Sequence, residues 1–276
     1  MQRHLLSIGR HLTGRSSPPP SKTFTETFPT VSVFEWRPVG GAINFGDHLA
    51  TVVANKVLAD AGIMPGEQTD RAKRLFTVGS VLHFADTGDT VWGSGVNGKV
   101  PVEQHGFTGL DVRAVRGPRT AAFLRDRGIA VPDVFGDPAL LLPTLFPGRF
   151  PRTSKMPALF VPNLHDVGLV EHDIAAVSPM IGWNRLVEQV VAADFVVASS
   201  LHGLVIAEAF GIPARYVRLT ESENLFKYED YVMGTGRDRL DFATSIDQAL
   251  DMGGMPPIAF DPQRLLAAFP WDLWGR

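Results

Sequence analysis

One histidine lies where a predicted strand meets a predicted helix, a position that suits proton-transfer chemistry. The apolar run Phe195–Ala198 predicts a buried parallel strand, and the following segment predicts a helix that ends at Gly211. His202 falls in the first turn of this helix, where free backbone N–H groups and the helix dipole attract anions. Because an imidazole exchanges protons near neutral pH, we take His202 as a candidate catalytic residue; the alternative is a histidine that only closes a hydrogen bond in the core.

The neighbours of His202 extend this predicted anion site. Ser199 or Ser200 can cap the helix by accepting a hydrogen bond from a backbone N–H group. Gly203 has no side chain, so a ligand could approach the backbone there. The residues that we assign to substrate binding here are Ser199, Ser200, Leu201 and Gly203.

A second candidate catalytic residue follows a glycine-bearing turn. Asp47 stands at the amino end of a helix predicted from His48 to Gly62, after the substrate-binding candidates Asn44 and Gly46. A carboxylate is favoured in this position by the helix dipole, so a helix cap is one interpretation of Asp47. The other is a general base, because the turn leaves the carboxylate open to a cleft.

Two arginines accompany another predicted strand-to-helix junction. Arg116 ends a strand from Leu110, and Pro118 begins a helix that Gly128 ends. A guanidinium beside a helix amino end predicts a second anion site with Arg116 in it. Arg119, one turn on, either contributes to this site or is a solvated surface charge.

Two further glycine-bearing turns follow predicted strands. Gly93, Gly95 and Gly98 satisfy the spacing of a dinucleotide-binding loop, but an extended, proline-bearing segment follows them where a helix is required, so we reject that site. We interpret Gly95 instead as part of a tight turn that faces a ligand. Asp137 precedes a proline, and we interpret it as structural.

Lys227 belongs to a helix predicted over residues 225–234 and is a further substrate-binding candidate, because its side chain could reach a cleft.

Strands and helices alternate in both halves of the chain, so we predict an α/β protein with two Rossmann-like domains, each a parallel sheet wrapped by helices. The predicted units are a basic, flexible tail (1–29), an N-terminal domain (30–146) and a C-terminal domain with covering helices (157–276).

Composition narrows the functional classes. The net charge of −3 is distributed without a cationic face, which argues against nucleic acid as a partner. The chain has no cysteine, which excludes disulfides and thiolate chemistry and favours a cytoplasmic location. The tail carries Arg3, Arg10, Arg15 and Lys22, is too weakly hydrophobic for a signal peptide, and either is disordered or touches the inner face of an anionic membrane.

Several short motifs occur together in one order along residues 31–235. They are Asn44-x-Gly46-Asp47, Gly93-Ser94-Gly95, Arg116-Gly117-Pro118, Gly136-Asp137-Pro138, Ser200-Leu201-His202-Gly203 and Lys227-Tyr228-x-Asp230-Tyr231. In this order they resemble the polysaccharide pyruvyl transferase family. Each motif is weak alone, and the order makes the resemblance fairly specific.

This resemblance implies a transferase that moves pyruvate from phosphoenolpyruvate onto two hydroxyls of one sugar, forming a cyclic ketal and free phosphate. It implies a fold similar to GT-B glycosyltransferases, with the acceptor on the N-terminal domain and the donor on the C-terminal domain. His202 and Arg116 would hold the donor. No metal or other cofactor is expected, and the saccharide acceptor is either free or lipid-linked.

One departure and two alternatives stay open at this point. Many relatives carry arginine directly before the Leu-His pair, where this chain has Ser200. A nucleotide-sugar glycosyltransferase of the same architecture would use a similar cleft, although the absence of Asp-x-Asp disfavours a metal-dependent transferase of the other common architecture. A non-catalytic protein that binds glycans or anions is the third class.

Overall fold

The structure is a computed structural model that describes residues 23–26, 31–37, 43–64, 73–169 and 174–275. The strands of the first sheet are β1 (Thr23–Glu26), β2 (Val31–Glu35), β3 (Lys73–Phe76), β4 (Thr90–Trp92) and β5 (Asp111–Ala114), in that spatial order. Those of the second are β6 (Leu159–Val161), β7 (Ala175–Ala176), β8 (Val196–Ala198) and β9 (Ala214–Tyr216), in the spatial order β7-β6-β8-β9. The predicted α/β class with two largely parallel sheets is therefore confirmed.

The helices connect these strands or cover them. They are α1 (Phe45–Asp60), α2 (Pro118–Arg125), α3 (Leu142–Leu145), α4 (Trp183–Val190), α5 (Leu201–Ala209), α6 (Phe226–Gly234), α7 (Ile246–Met252) and α8 (Pro262–Ala267). Short 3₁₀ turns span Leu82–Phe84, Val102–Gln104, Pro138–Leu141 and Trp271–Trp274. None of the helices within the described ranges is long and apolar enough to cross a membrane.

The amino-terminal strand corrects one prediction. Thr23–Glu26, placed by sequence in the flexible tail 1–29, form the edge strand β1, which pairs antiparallel with β2. The sheet is parallel from β2 to β5. The prediction for residues 1–22, including membrane contact through their basic side chains, lies outside the described residues.

Both faces of the sheets are buried: successive residues along a strand contribute to different hydrophobic clusters. Val33 and Leu75 join a large cluster that contains α1, α4 and α5, whereas Phe34 and Phe76 join a cluster with α2. In the second sheet, Phe160 faces a smaller cluster that includes Ile246 of α7. The large cluster thus holds residues from both predicted domains, and the boundaries of those domains stay a prediction.

The topology of the second sheet creates a crevice at its carboxyl edge. From β6 the chain moves to β7 on one side, and from β8 it moves to β9 on the other. Adjacent strands whose connections leave in opposite directions open a space above their carboxyl ends, where α/β proteins bind ligands. The segments that follow β6 and β8 are therefore placed at a binding crevice.

Candidate active site

A cavity of about 360 Å³ lies at this crevice, and the carboxyl ends of both sheets contribute to its wall. Its size suits a small metabolite. Segments after β2, β3, β4, β6 and β8 line it, together with the amino end of α1 and Lys227 in the first turn of α6. The ionisable residues in the wall are Asp47, His83, Lys99, His165, His202, Glu223 and Lys227.

The first turn of α5 presents His202 to the cavity. Ser200 is the N-cap: its backbone is extended and its Oγ accepts a hydrogen bond from the Gly203 N–H at 3.3 Å. Of the two serines predicted as alternatives, Ser200 therefore caps the helix and also lines the cavity with Leu201. Ser199 is buried beneath it, where its Oγ accepts a hydrogen bond from the Asn163 N–H at 3.1 Å.

His202 is a neutral imidazole at rest, with only 13% of its side chain exposed. Burial, reinforced by the positive charges of Lys227 and Arg116, lowers its pKa to about 3. Its Nε2 lies 3.8 Å from Asp137 Oδ2. Within the described part of the chain, neither of these two buried atoms has a hydrogen-bond partner.

Asp47 faces the same cavity from the first turn of α1. Asn44 is the N-cap of that helix, its Oδ1 accepting the Gly46 N–H at 2.9 Å, so the cap interpretation of Asp47 is wrong. Burial raises the pKa of Asp47 to about 7, against the opposing effect of Lys227 and with a smaller contribution from Glu35. A carboxyl group with this pKa can accept a proton near neutral pH.

Two lysines provide the cationic part of the wall, and a carboxylate lies between them. Glu223 accepts from Lys227 Nζ at 2.9 Å and from Lys99 Nζ at 2.5 Å. Burial lowers the pKa of Lys227, which Glu223 partly offsets. Burial opposes ionisation of Glu223, but the two lysines outweigh it and lower its pKa. The three groups carry a net charge of +1 next to the amino end of α5.

Arg116 is placed away from the cavity wall. Its side chain is fully buried; Nε donates to Asp230 Oδ2 at 3.0 Å, one terminal nitrogen to Ser80 Oγ at 2.5 Å and the other to the Val96 carbonyl at 2.8 Å. Asp230 Oδ1 also accepts the Thr120 N–H of α2 at 2.9 Å. The predicted second anion site exists, but an internal carboxylate fills it, so this geometry does not support direct donor binding by Arg116.

Arg119 also engages residues of α6. It forms an ion pair with Glu229, and its guanidinium lies 4.5 Å from the centre of the Phe226 ring. Arg119 is absent from the cavity wall. Of the two interpretations from sequence, the structure therefore favours a surface charge engaged in packing.

Three glycines assigned to ligand binding make room for protein atoms instead. A Cβ on Gly46 would lie 2.2 Å from His202 Nδ1, and one on Gly95 would lie 2.4 Å from the Arg116 guanidinium carbon. A Cβ on Gly203 would lie 2.6 Å from Val161 of β6. A glycine is needed at each of these positions because another part of the protein packs against its backbone: the His202 imidazole at Gly46, the Arg116 guanidinium at Gly95 and strand β6 at Gly203.

The structure therefore brings together Asn44, Asp47, Ser200, Leu201, His202 and Lys227 around one cavity. It places Ser199, Arg116, Arg119 and the three glycines behind the wall or away from it. Lys99 and Glu223 were missed by sequence reasoning, and Asp137 was taken as structural only. The four-residue spacing of Glu223 and Lys227 was the only sequence signal for an ion pair between those two residues.

The fold is that of an α/β protein with a cavity of small-molecule size at the carboxyl edges of two sheets. Comparison with known families adds that the family model of polysaccharide pyruvyl transferase matches residues 21–219, more than half of the chain. The chain belongs to the polysaccharide pyruvyl transferase family. The resemblance stated from the motifs is thereby confirmed.

A curated relative and a solved structure were also found. The chain is 29% identical over 208 residues to the succinoglycan biosynthesis protein ExoV of Rhizobium meliloti (strain 1021), a match that covers 70% of this chain and 62% of that protein. The chain thus spans less than two thirds of the length of this relative. A crystal structure of an uncharacterized protein from Klebsiella pneumoniae subsp. pneumoniae NTUH-K2044 shares 12% identity, with a TM-score of 0.46 over 74% of this chain and 90% of that one.

Proposed function

We propose that the chain transfers pyruvate from phosphoenolpyruvate to two hydroxyls of a sugar, forming a cyclic ketal during polysaccharide biosynthesis. The observation that carries this proposal is one cavity lined by two lysines, a helix amino end, His202 and Asp47. Family membership supports the reaction class, and the similarity to ExoV supports a polysaccharide context. A GT-B-like arrangement of the two domains and a cytoplasmic location belong to the same proposal.

The donor brings a phosphate and a carboxylate, so its site needs positive groups. Lys99 and Lys227 can each form a charge-assisted hydrogen bond with it, contributing roughly 1.5–3 kcal/mol. The backbone N–H groups in the first turn of α5 add the helix dipole. Lysines in the cavity wall therefore take the role that arginine before the Leu-His pair has in many relatives. Arg116 contributes a buried positive charge behind the site rather than a direct contact.

The reaction needs groups that move protons at two places. The methylene carbon of the donor gains a proton as the first sugar hydroxyl loses its proton and forms a C–O bond to the adjacent donor carbon. The C–O bond to phosphate then breaks as the second hydroxyl forms its C–O bond to the same carbon, and the proton of that hydroxyl leaves with the released phosphate. We assign the proton donation to His202, whose depressed pKa rises when a bound polyanion offsets the charge of Lys227 and Arg116. We assign Asp47 as the acceptor of a hydroxyl proton. As proposed, these steps use no metal or other cofactor.

A substrate-class assay separates this proposal from its rivals. The purified chain is incubated with phosphoenolpyruvate and saccharide acceptors, and both phosphate release and acceptor mass are followed. We expect the acceptor to gain one carboxyethylidene group for each phosphate released. Release of a nucleoside diphosphate from a sugar nucleotide would identify a glycosyltransferase instead. Calorimetry that shows no binding of phosphoenolpyruvate would favour a non-catalytic relative.

A further inference from the structure

The Asp137 carboxylate lies beside the buried Nε2 of the His202 imidazole. Asp137 is fully buried, and its Oδ1 accepts the Ala139 N–H at 3.0 Å as the cap of the 3₁₀ turn Pro138–Leu141. Its second oxygen, Oδ2, takes no part in this capping bond and lies 3.8 Å from His202 Nε2. A cap needs only one oxygen, so the cap does not account for the buried second oxygen.

Both atoms lack a hydrogen-bond partner in the described part of the chain. A buried polar atom without a partner is costly, and two that face each other at 3.8 Å need an approach of about 1 Å to form a hydrogen bond. The turn that carries Asp137 is fixed: the Gly136 N–H donates to the Val115 carbonyl at 3.1 Å, and Pro138 packs where Gly93 has no Cβ. We therefore expect the imidazole, in the first turn of α5, to make this approach.

The two ring nitrogens have different surroundings. Nε2 is buried beside Asp137, whereas Nδ1 lies next to Gly46, the residue before Asp47 in the first turn of α1. The charged groups that influence the ring are Asp137, Arg116 and Lys227, and Asp47 shares its cavity. Of these, only the Asp137 carboxylate is placed to accept a hydrogen bond from Nε2.

We propose that Asp137 is the positioning residue of His202: its Oδ2 accepts the Nε2–H of the imidazole, which leaves Nδ1 as the nitrogen that exchanges protons with the substrate. The carboxylate fixes the tautomer and stabilises the imidazolium that forms when Nδ1 takes up a proton. Asp137 itself gains and loses no proton in the cycle. This role rests on the proposed function for its catalytic consequence, but the tautomer is a property of the protein alone.

Burial raises the pKa of Asp137 to about 6, against the lowering effects of the Ala139 hydrogen bond and Arg116. At pH 8 the carboxylate is therefore ionised and can accept from Nε2–H. Asp137→Asn is the matched variant, because an asparagine Oδ1 keeps the hydrogen bond from Ala139 while its amide N–H₂ faces Nε2. An N–H₂ group can only donate to Nε2, which forces the proton to Nδ1.

The test is ¹⁵N NMR of histidine-labelled protein at pH 8, with the His202 signals identified by their loss in His202→Gln. We expect the Nε2–H tautomer in the wild type and the Nδ1–H tautomer in Asp137→Asn. Asp261→Asn is the control, since Asp261 caps α8 by the same bond to a backbone N–H and lies outside the cavity wall. An Nδ1–H tautomer in the wild type, or the same tautomer in wild type and Asp137→Asn, would overturn the proposal.

Activity provides the second readout. In the phosphate-release assay, Asp137→Asn should lower kcat about 100-fold and change KM for the donor less than about threefold, as expected for loss of an orienting partner. A kcat within a factor of three of wild type would also overturn the proposal. If the wild type itself transfers no pyruvate, the proposed function fails while the NMR experiment still decides the role of Asp137. If Asp137→Asn does not fold, the wild-type tautomer alone decides it.

Discussion

Asp230 of α6 neutralises Arg116 inside the protein: the carboxylate Oδ2 accepts from the guanidinium Nε at 3.0 Å, and both side chains are fully buried. The same oxygen accepts from the Thr120 hydroxyl at 2.7 Å, so one carboxylate joins α6 to the amino end of α2. The helices approach closely because Gly117 and Gly234 lack side chains; a Cβ on Gly234 would lie 2.2 Å from the Arg116 carbonyl oxygen. Arg116, which the sequence predicted to bind an anionic ligand, is thus paired with a carboxylate of the protein itself and holds α6 against α2.

Asp230→Asn tests this structural role. Removing one member of a buried ion pair leaves the other charge uncompensated, so we expect the free energy of unfolding to fall by about 3–5 kcal/mol. Urea denaturation measures the change. The control is Asp272→Asn, which breaks a pair between Arg113 and an exposed carboxylate and should cost less than about 1 kcal/mol. Equal effects of the two substitutions would show that the Arg116–Asp230 pair is not structural.

Gly46→Ala tests the contact between α1 and His202. The new Cβ would lie 2.2 Å from Nδ1, so the imidazole must leave its position, whereas alanine itself suits a helix. We expect kcat to fall by about 100-fold or more, because misplaced catalytic groups lose orientation. Thermal denaturation should show that the protein stays folded. Gly109→Ala, where a Cβ would meet no atom within 4 Å, is the control and should leave kcat unchanged.

The lysine pair should dominate donor affinity. Lys227→Met and Lys99→Met each remove a charge-assisted contact, and we expect phosphoenolpyruvate to bind about 10- to 100-fold more weakly in calorimetry. The exposed Lys155, outside the cavity wall, gives the control Lys155→Met. Unchanged affinity in both cavity variants would place the donor elsewhere.

Glu223→Gln should have the opposite effect. The substitution removes the carboxylate that holds both lysines and raises the net charge of the three groups from +1 to +2. We expect donor affinity to increase about fivefold at low salt, with the gain reduced as salt screens the charges. Weaker binding would show that Glu223 orients the lysines more than it competes with the donor.

Asp47 should make stability depend on pH. Its pKa is raised to about 7 in the folded protein, so its stabilising contribution is present below pH 4 and is lost as the pH rises through 7. Asp47→Asn should therefore raise the free energy of unfolding at pH 8 by about 1–2 kcal/mol, less than the full shift because the side chain faces a cavity. At pH 4 the variant and wild type should be equal. A gain that is the same at both pH values would contradict the raised pKa.

The sequence predicted the elements well where local signals decide them. The apolar run before Ser199 predicted β8, and the two serines predicted the start of α5. Both predictions were possible because a strand and a helix cap depend on residues that are neighbours in the sequence. Long-range partners were not predictable. Lys99 and Glu223 are 124 residues apart, and no periodicity links Asp230 to Arg116. The sequence also does not distinguish a glycine that leaves space for a ligand from one, such as Gly46, that leaves space for the His202 side chain.

Transfer of pyruvate in this cavity, with His202 as the proton donor, can be followed at the reacting carbon. The most direct measurement is ¹³C NMR of [2-¹³C]phosphoenolpyruvate incubated with a saccharide acceptor and either the wild type or His202→Gln. We expect the wild type to move the label into a ketal carbon on the sugar, while His202→Gln binds the donor and forms no ketal. Near-normal ketal formation by His202→Gln, with only donor affinity reduced, would contradict the role of His202 as the proton donor.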